Sequence, residues 1–523
     1  MSTDRTLPNK IDQFKVVLVN FEKEFIDVTA LIDSIEIHEG IFSPFASIDF
    51  ILTDALGITE RFPIIGDEHI IVTYKTPGEN FKIRTRAFKL YKTGERVEAA
   101  QRQFNYVLFG IDEFGLLQET KSVDKSFVGQ NVIKAIDKIY YNVVTSGADV
   151  QGTFQEFSQS LYGRDKEGIK ESKNETSYVA TGNSPMEAIT HLRREALHKD
   201  TRNNSDYVFF QNVDGYHITT LGELKEERDA QDSEENKKEF LFGDQSIPEN
   251  NPDERFTAQN IILNARVKKT IDTLQNLATG MFRNRVAVVD PLTKRYDSRT
   301  FLYFNEFGYL QKLNEGSGKR IHAKNSQFRF MESSTHTRYM VGELTTNRLN
   351  PSSPYKQFNG NLNYKDSPYI SEAANVDKDP KIKYPNERHK RLNLRIAERA
   401  SLDVMILELL IPGNSDVKAG DVIYVFAPQA SASPATSDLF NLFYGNVKSR
   451  FLVTAVDHKY ERQTANYVTR LECMKDAFEL SPEGIRKIVK AEFTEWQKNT
   501  ILIIWVIMVL FGGLVLLKII TIH

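Results

Sequence analysis

Up to about residue 115, the chain alternates polar and apolar positions over short stretches separated by turn residues such as Gly40 and Pro44. This two-residue period is typical of strands in an antiparallel sheet with one buried face. The predicted strands lie at 34–38, 47–50, 69–74, 81–91 and 104–109, with a polar stretch at 92–103. Several such strands with little helical periodicity predict a small barrel or sandwich.

From about residue 126 the apolar positions recur with a helical period, which predicts a helix near 128–140. A second helix is predicted to start at Ser184-Pro185, because serine caps a helix and proline fits its first turn. Residues 206–221 are predicted to form a hairpin that turns at Asp214-Gly215. The segment 223–239 is so rich in charge that a solvated loop is expected. Residues 151–177 and 311–385 lack periodicity and are expected to be loops.

A second block rich in strand patterns follows a predicted helix at 386–401. Its strands are predicted at 404–411, 422–426, 451–458 and 466–473. A final helix is predicted to open at 481–483, where serine precedes proline. In this block, Cys473 and His458 both stand in strand patterns, and His458 is expected at a surface or an interface.

The two β-rich blocks repeat a local order of residues. In each block a Gly-Asp pair precedes a strand, and an Asn-Tyr-Val triplet comes later in a following strand. These barrel signature residues are Gly66, Asp67 and Tyr106 in the first block, and Gly420, Asp421 and Tyr467 in the second. The order of the signals predicts two copies of one β domain in a single chain, although the unequal spacings leave coincidence as an alternative.

The C-terminal end is strongly apolar. Residues 501–517 contain no charged side chain, and the apolar run resumes after Lys518 as far as residue 522. As a helix, 501–522 would be about 33 Å long, enough to cross the hydrocarbon core of a bilayer. The residues expected to define this segment are Ile501, Trp505, Phe511, Gly512, Gly513, Leu517 and Lys518. The N-terminus has no apolar signal region, so we expect no secretory leader.

Composition narrows the class of protein further. The 523 residues carry 67 Lys+Arg against 70 Asp+Glu, a net charge of −3 that does not favour bulk binding of nucleic acid. The 41% hydrophobic and 26% charged residues are typical of a globular chain, with disordered and polytopic membrane classes excluded. A single cysteine can form no intrachain disulfide, which fits assembly in a reducing cytosol.

No pattern in the sequence favours catalysis. The segment 316–319 is similar to a phosphate-binding loop, but Arg320 replaces the required Ser/Thr and Leu313 stands where the first glycine belongs. The ten histidines include no helical metal-binding pair, and no nucleophile elbow is present. We therefore expect no enzyme and no cofactor, and neither catalytic nor metal-ligating residues; a peptidoglycan-degrading activity is not expected.

Several segments, in their order along the chain, resemble the baseplate hub proteins of contractile-tailed, T-even-like phages. The resemblance covers about 16–478, and its best parts are 184–189, 206–210 with 214–216, 411–414 with 419–423, and 451–456 with 467–478. It implies a homotrimer whose two tube-like domains per chain form a pseudo-sixfold ring between the hexameric tail tube protein and the trimeric central spike protein. It also implies that 206–221 joins the second barrel. DNA would pass through the lumen without sequence-specific binding.

The apolar tail departs from this family, and two interpretations stay open. One is a transmembrane helix that inserts into the host inner membrane during infection. The other is a three-helix bundle on the trimer axis, packed with the tape measure protein or closing the lumen. We favour contact with a membrane at some stage, because Trp496, Trp505, Lys498 and Lys518 resemble interfacial anchors.

The helix predicted at 386–401 carries a cluster of basic residues: Arg388, Lys390, Arg391, Arg395 and Arg399. One interpretation is a binding face for DNA or acidic neighbours. The other is a solvated or inter-subunit face, since Glu387 and Glu398 dilute the charge.

Together these patterns predict an α+β, mainly β fold with two tube-like antiparallel β-barrels, α/β insertions and a C-terminal apolar helix. The domains are expected at 1–118 (first barrel), 119–385 (middle region, with the loop-rich insertion 311–385), 386–480 (second barrel) and 481–523 (C-terminal helix). The expected function is a structural hub of a virion tail baseplate, assembled in the host cytoplasm, with the insertion contacting other baseplate proteins. The alternative is a cellular C-tail-anchored membrane protein with a cytosolic β-rich binding domain.

Overall fold

The structure of the protein is a computed structural model. It describes residues 10–55, 57–78, 81–100, 103–146, 172, 175–198, 206–226, 238–242, 258–270, 272–290, 295–302, 313, 336–341, 388–403, 405–426 and 448–476. The predicted C-terminal helix, its apolar segment 501–522 and most of the insertion 311–385 lie outside these residues. No helix within the described ranges is both long and apolar enough to cross a membrane.

The first β unit comprises residues 13–120. Its strands are β1 (Gln13–Val19), β2 (Phe25–Asp27), β3 (Ile32–Gly40), β4 (Ser47–Asp54), β5 (His69–Lys75), β6 (Arg84–Ala100) and β7 (Gln103–Ile111). Two short helices accompany them, α1 (Ile58–Arg61) and α2 (Glu113–Thr120). The side chains of Val16, Phe50, Val72 and Leu108 are at most 1% exposed and belong to one apolar core.

The middle region begins with strand β8 (Val123–Asn131), helix α3 (Val132–Ser146), strand β9 (Glu175–Asn183) and helix α4 (Pro185–Glu195). The predicted cap of the second helix is confirmed. The Ser184 hydroxyl accepts a hydrogen bond from the Glu187 amide, the Glu187 carboxylate accepts one from the Ser184 amide, and Pro185 occupies the first turn. The predicted hairpin is confirmed as β10 (Tyr207–Asn212) and β11 (Gly215–Thr220).

The remaining elements complete the middle region and the second β unit. They are α5 (Leu221–Glu226), β12 (Glu239–Phe242), β13 (Ile261–Ile262), β14 (Asn264–Thr270), α6 (Thr273–Thr279), β15 (Arg283–Asp290), β16 (Arg295–Leu302), β17 (His336–Val341), α7 (Arg388–Leu402), β18 (Met405–Pro412), β19 (Val422–Phe426), β20 (Lys448–Glu461) and β21 (Asn466–Lys475). The second β unit consists of β14 and β18 to β21. Its core includes Leu407, Ile423, Phe451 and Leu471, all fully buried.

The two β units share one 14-stranded sheet. Its path runs β13-β12-β19-β20-β3-β4-β7-β6-β5-β1-β2, with β21, β18 and β14 continuing from the far side of β20. The mainly β prediction with antiparallel pairing is thereby confirmed for the described residues. The two predicted barrels are not found as closed barrels there, because β3 pairs with β20 of the other unit instead of closing its own sheet.

The hairpin β10–β11 forms a separate two-stranded sheet that lies between two cores. Val208 and Phe210 pack into the core of the second β unit, whereas Tyr207 and Phe209 pack among α3 and α4. The residues alternate between the two cores because neighbouring side chains of a strand point to opposite faces. All six residues of β10 are consequently buried.

The charged segment 223–239 is described only at its ends, where Glu223, Lys225 and Glu239 are buried and Lys238 is partly exposed. Glu223 is 2% exposed and accepts hydrogen bonds from Thr219 and the Thr220 amide. Lys225 is 1% exposed and lies 2.8 Å from a carboxylate oxygen of Asp476. The prediction of a solvated loop is wrong at these ends, because their charges are matched by buried partners; residues 227–237 lie outside the described part of the chain.

Candidate assembly interface

The two β units have the same strand order. The first unit runs β3-β4-β7-β6-β5, and the second runs β14-β18-β21-β20-β19. In both units the three last strands follow one another along the chain, and every neighbouring pair in these two series is antiparallel. The repeated topology supports the internal duplication that the sequence signals predicted.

A β-bulge at the same place in both units identifies which of their residues are equivalent. The ladder of β6 and β7 skips one residue between Leu90 and Lys92, and the ladder of β20 and β21 skips one between Val453 and Ala455. Leu90 pairs with Gly110 just before the first bulge, and Val453 pairs with Cys473 just before the second. Gly110 and Cys473 are therefore equivalent positions, from which the other equivalences can be counted.

Cys473 is fully buried in its predicted strand, and burial raises the pKa of its thiol well above the usual range.

The Gly-Asp signals lie at equivalent turns but are offset by one residue. Gly66 and Gly420 both have φ +96°, a left-handed conformation that favours glycine. The backbone oxygen of Asp421 accepts from the amide of Val453, and that of Glu68 accepts from the equivalent amide in the first unit. The equivalent of Asp421 is thus Glu68. Both carboxylates are 1% exposed and accept hydrogen bonds from their own turns, whereas Asp67 forms a salt bridge to Lys89 near the surface.

The two signature tyrosines do not occupy equivalent positions. Counting back from Gly110 and Cys473, Tyr106 corresponds to Thr469 and Tyr467 to Phe104. Both tyrosine rings nevertheless pack in the core of the first β unit, where each is 2% exposed. Tyr467 therefore carries an aromatic ring from the second unit across the junction, 6.5 Å from the ring of Tyr74.

The junction between the units is the antiparallel pairing of β3 with the second half of β20. On the exposed face of this pairing, the His38 ring lies between Asp49 and Asp457, 2.7 Å from an oxygen of each. Hydrogen bonds to Asp457 and Asp49 raise the pKa of His38 to about 10, against a smaller opposing effect of burial. Lys459 and Glu36 add an ion pair of 3.0 Å across the same two strands.

The opposite face of the junction buries a second pair. Glu39 of β3 and Arg86 of β6 form a salt bridge with side chains 0% and 4% exposed, and Glu39 also accepts a hydrogen bond from the Ala419 amide of the second unit. Burial raises the pKa of Glu39, and the positive charge of Arg86 opposes that shift. The salt bridge lies within the first unit and supports the Glu39 carboxylate, which contacts the second unit through the Ala419 amide and is costly to leave without its partner.

His458 also lies in this buried part of the junction. Its ring is 3% exposed, 5.5 Å from the ring of Tyr74, and its Nδ1 is 3.2 Å from the hydroxyl of Tyr467. The expectation was a surface or an interface; a surface position is wrong, and the ring lies at the interface of the two units against Tyr74 of β5. Burial, followed by the charge of Arg86, lowers the pKa of His458 to about 3, so the ring is neutral.

The hairpin β10–β11 binds both units next to the junction. At its turn, Asp214 forms salt bridges to Arg84 of the first unit and Lys418 of the second. Gln211 donates a hydrogen bond of 2.6 Å to Asp112, the residue that caps α2. Burial raises the pKa of Asp112, against opposing hydrogen bonds from Tyr216 and Gln211. Through these contacts the middle region fixes the relative position of the two β units.

Two strand edges are left open among the described residues. In the second unit, β20 is covered on one edge first by β19 and then by β3. The equivalent strand β6 is covered by β5 only as far as Lys89, and no described strand pairs with its outer edge from residue 90 to 100. Likewise, β14 is the equivalent of β3, and among the strands that the structure describes it pairs only with β18. Within the described residues, the uncovered edges of β6 and β14 thus correspond to the two strand edges that pair with each other at the β3–β20 junction.

The membrane or axial segment, from Ile501 to Lys518, lies outside the described residues and stays a prediction. The residues that the structure describes contain no group of three metal-ligating side chains. Most of the basic residues predicted on the helix at 386–401 also lack described side chains; Arg395 and Arg399 are the described ones, on α7.

No protein-family model and no curated protein matches this sequence. Among solved structures, the chain is similar to a tail protein from Neisseria meningitidis MC58, with a TM-score of 0.42 and 10% identity over 88% of this chain and 97% of that one. It is similar to the 43 kDa tail protein of prophage MuSo2 from Shewanella oneidensis, with the same TM-score and 10% identity, covering 89% and 100%. A third similar structure is the E. coli c3393 protein, a component of the type VI secretion system, with a TM-score of 0.35, 9% identity and coverage of 90% and 78%. At these low scores the likenesses do not by themselves assign a fold or a function.

Proposed function

We propose that the protein is a structural, non-catalytic hub of a phage-type tail baseplate, and that it assembles as a closed ring of three chains. The observation that carries the proposal is the pair of open edges on β6 and β14. Each is the equivalent of a strand edge that is paired at the β3–β20 junction. A head-to-tail contact of this kind makes closed rings when the rotation between copies allows closure.

Pairing between chains would follow the internal junction, with bulges that it lacks. Val267 of β14 lies opposite Leu407, as Ile37 of β3 lies opposite Ile48, and the β14–β18 ladder then skips one residue, so Lys268 and Lys269 share the place of His38. On the other strand, Gly94 and Glu95 share the place of Asp457, because the β6–β7 ladder skips again between Thr93 and Arg96. In the proposed contact Lys268 of one chain lies near Glu95 of the next, as His38 lies beside Asp457 within a chain, and it does so while pairing with Glu408 and Glu472 of its own chain at 3.0 and 2.9 Å.

The exposure of β6 supports the same pairing. Between residues 91 and 98 every side chain except that of Gly94 is exposed, including Tyr91 at 48% and Val97 at 54%. Long exposed strand edges template pairing with other chains, and proteins usually cover or blunt them. A neighbouring chain whose β14 covers this stretch removes the open edge and buries these apolar side chains.

Three chains with two β units each give six similar units around one axis, which matches the ring implied by the family resemblance. In this proposal the ring joins a hexameric tail tube to a trimeric spike, with DNA passing through its centre without sequence-specific contacts. The exposed face of the β3–β20 junction suits that passage, because its cations His38, Lys459 and Arg470 are all paired with carboxylates. For the C-terminal segment the proposal keeps two roles open. It plugs the lumen together with the tape measure protein, or it contacts a membrane.

The proposal is tested by native mass spectrometry of the full-length chain in a mild detergent. We expect a dominant species of three times the 59.9 kDa chain mass, which retains the tail tube protein and the spike protein when the three are mixed. A chain that stays monomeric at micromolar concentration, or a trimer that retains neither partner, would contradict the hub. The monomeric outcome would favour the tail-anchored alternative.

A further inference from the structure

A cluster of arginines lies apart from the ring edges, where the last turn of α4 meets α7. It consists of Arg193 and Arg194 on α4 and Arg395 and Arg399 on α7, and we call it the arginine patch. Among the described residues, Asp206 at the start of the hairpin forms an ion pair with the patch, and the buried Glu398 adds a weaker attraction to Arg395. Four guanidinium groups against two carboxylates are an unusual excess in a chain with a net charge of −3.

Arg395 connects the two helices that carry the arginine patch. Its Nε lies 3.4 Å from Asp206 Oδ1, and its Nη2 donates to the backbone oxygens of Arg193 and Arg194 at 3.3 Å each. The side chains of Arg395 and Asp206 are 14% and 6% exposed. These contacts fix the end of α4 against α7, so the outer arginines sit on a preformed support.

The outer arginines have no such compensation. Within the described residues, no carboxylate lies at ion-pair distance from Arg193, Arg194 or Arg399. Burial lowers the pKa of Arg193, Asp206 opposes this, and the charges of Arg399, Arg395 and Arg194 lower it further. The excess positive charge is therefore concentrated at one place on the surface.

An aromatic ring completes the patch. The guanidinium of Arg399 lies 4.8 Å from the centre of the Phe42 ring, which is 39% exposed in the turn between β3 and β4. Arg194 and Arg399 are exposed, whereas Arg193 is half-buried. The surface thus offers two accessible guanidiniums, one partly desolvated guanidinium and the face of an aromatic ring, a combination frequent at protein interfaces.

We propose that the arginine patch is a docking site for an acidic segment of a partner protein. Guanidinium groups bind carboxylates through two parallel hydrogen bonds, and several arginines in one place suit closely spaced carboxylates. Duplex DNA is a poorer fit, because its affinity comes from a row of cations that follows the phosphate backbone. Here one cation is half-buried and another is committed to Asp206, so that too few reach outward for such a row.

The proposal is tested with the full-length protein and a fluorescein-labelled oligoglutamate peptide at about 0.15 M salt, where interactions between exposed charges are screened beyond ~8 Å. We expect saturable binding by fluorescence anisotropy. The double variant R194E/R399E should weaken it by roughly tenfold or more, since each reversal replaces an attraction by a repulsion. The double variant R194K/R399K should weaken it less, because lysine keeps the charge but loses the paired hydrogen bonds.

The matched control is R462E, which reverses an exposed arginine in the β20–β21 turn, away from the patch. Equal loss of binding in R462E and R194E/R399E would overturn the proposal, as would the absence of binding by the unchanged protein. A labelled DNA duplex that binds more tightly than the peptide would also overturn it, in favour of a nucleic-acid site. Both targeted arginines are exposed, so circular dichroism should show that R194E/R399E is folded. If that variant is unfolded and R194K/R399K binds the peptide as tightly as the unchanged protein, the role of these side chains is contradicted.

Discussion

The two β units build the same sheet but finish its edges differently. In the second unit, β20 is paired along its full outer edge, because β3 of the first unit continues where β19 ends. In the first unit, the equivalent strand β6 extends beyond β5, and no strand of the described ranges pairs with its outer edge there. The same edge is thus covered in one copy of the unit and uncovered by described strands in the other, and the proposed ring completes it with a neighbouring chain.

The units also differ in what covers their turns. The second unit receives the hairpin and α5, so that Phe210 and Leu224 lie against Gly420. The equivalent turn at Gly66 faces open space, with no atom within 4 Å of the place where a Cβ would lie. The middle region therefore supports one unit and leaves this turn of the other exposed.

The largest effect is expected at the buried face of the junction. Glu39→Gln leaves Arg86 as a buried charge without its carboxylate, which should lower the free energy of unfolding by about 3–5 kcal/mol. The control is Glu36→Gln on the same strand, where the partly exposed pair with Lys459 should contribute at most ~1 kcal/mol. Urea denaturation followed by circular dichroism compares the two variants; equal effects would mean that the buried pair of Glu39 and Arg86 does not stabilise the junction.

The next comparison uses the two glycines with the same backbone angle. Gly420→Ala and Gly66→Ala both force a side chain into the left-handed region, at about 1 kcal/mol each. In Gly420→Ala the new Cβ also lies 3.2 Å from Phe210, which should add roughly 1–3 kcal/mol from overpacking. Thermal unfolding of the two variants should show the larger loss for Gly420→Ala, and the reverse order would show that the hairpin does not pack on that turn.

A smaller effect is expected from His38. Its pKa is raised from 6.5 to about 10 in the folded protein, so its contribution is fully present below pH 6.5 and is lost as the pH rises through 10. Because the ring is a third exposed, solvent screening reduces the contribution to about 1–2 kcal/mol. The difference in urea midpoint between the unchanged protein and His38→Gln should therefore shrink between pH 7 and pH 10; a constant difference would show that the charge of His38 does not stabilise the junction.

The smallest effect per residue is expected at the contact between chains. Lys268→Glu places a carboxylate near Glu95 of the next chain and also beside Glu408 and Glu472 of its own chain. It should weaken the trimer several-fold, as expected for an exposed pair worth ~1 kcal/mol or less, and also lower the stability of the single chain. Adding Glu95→Lys exchanges the two charges and should restore assembly in part. Analytical ultracentrifugation of the two single variants and the double variant forms a double-mutant cycle, and strictly additive losses would place these residues outside one contact.

The sequence predicted the strands that have one buried face, since alternation at 34–38 or 47–50 directly reflects their environment. It missed the second half of β6, where the polar stretch 92–103 was separated from the strand before it. Those residues are exposed on both faces within one chain, so they show no alternation. The sequence pattern also misses β8 and β9, because both strands are rich in polar residues. An alternating sequence pattern indicates a strand only where one face of that strand is buried within the chain.

The candidate site could be predicted only in outline. The Gly-Asp signals led to the correct turns but to Asp67 instead of Glu68, because the backbone register depends on a bulge many residues away. The buried pair of Glu39 and Arg86 and the buried position of His458 depend on contacts between distant segments. No local pattern indicates them.

The most direct test of ring formation through β6 and β14 is disulfide cross-linking between these strands. Arg266 corresponds to Glu36 and Val97 to Lys459, residues that lie opposite each other at the internal junction, and cross-strand pairs at this distance can form disulfides. The only native cysteine, Cys473, is fully buried and should not interfere. Arg266→Cys with Leu274→Cys, at a residue 79% exposed on α6, is the matched control. On mild oxidation, Arg266→Cys/Val97→Cys should give covalent dimers and trimers that end at the trimer, whereas no cross-linking, or equal cross-linking in the control, would contradict the ring.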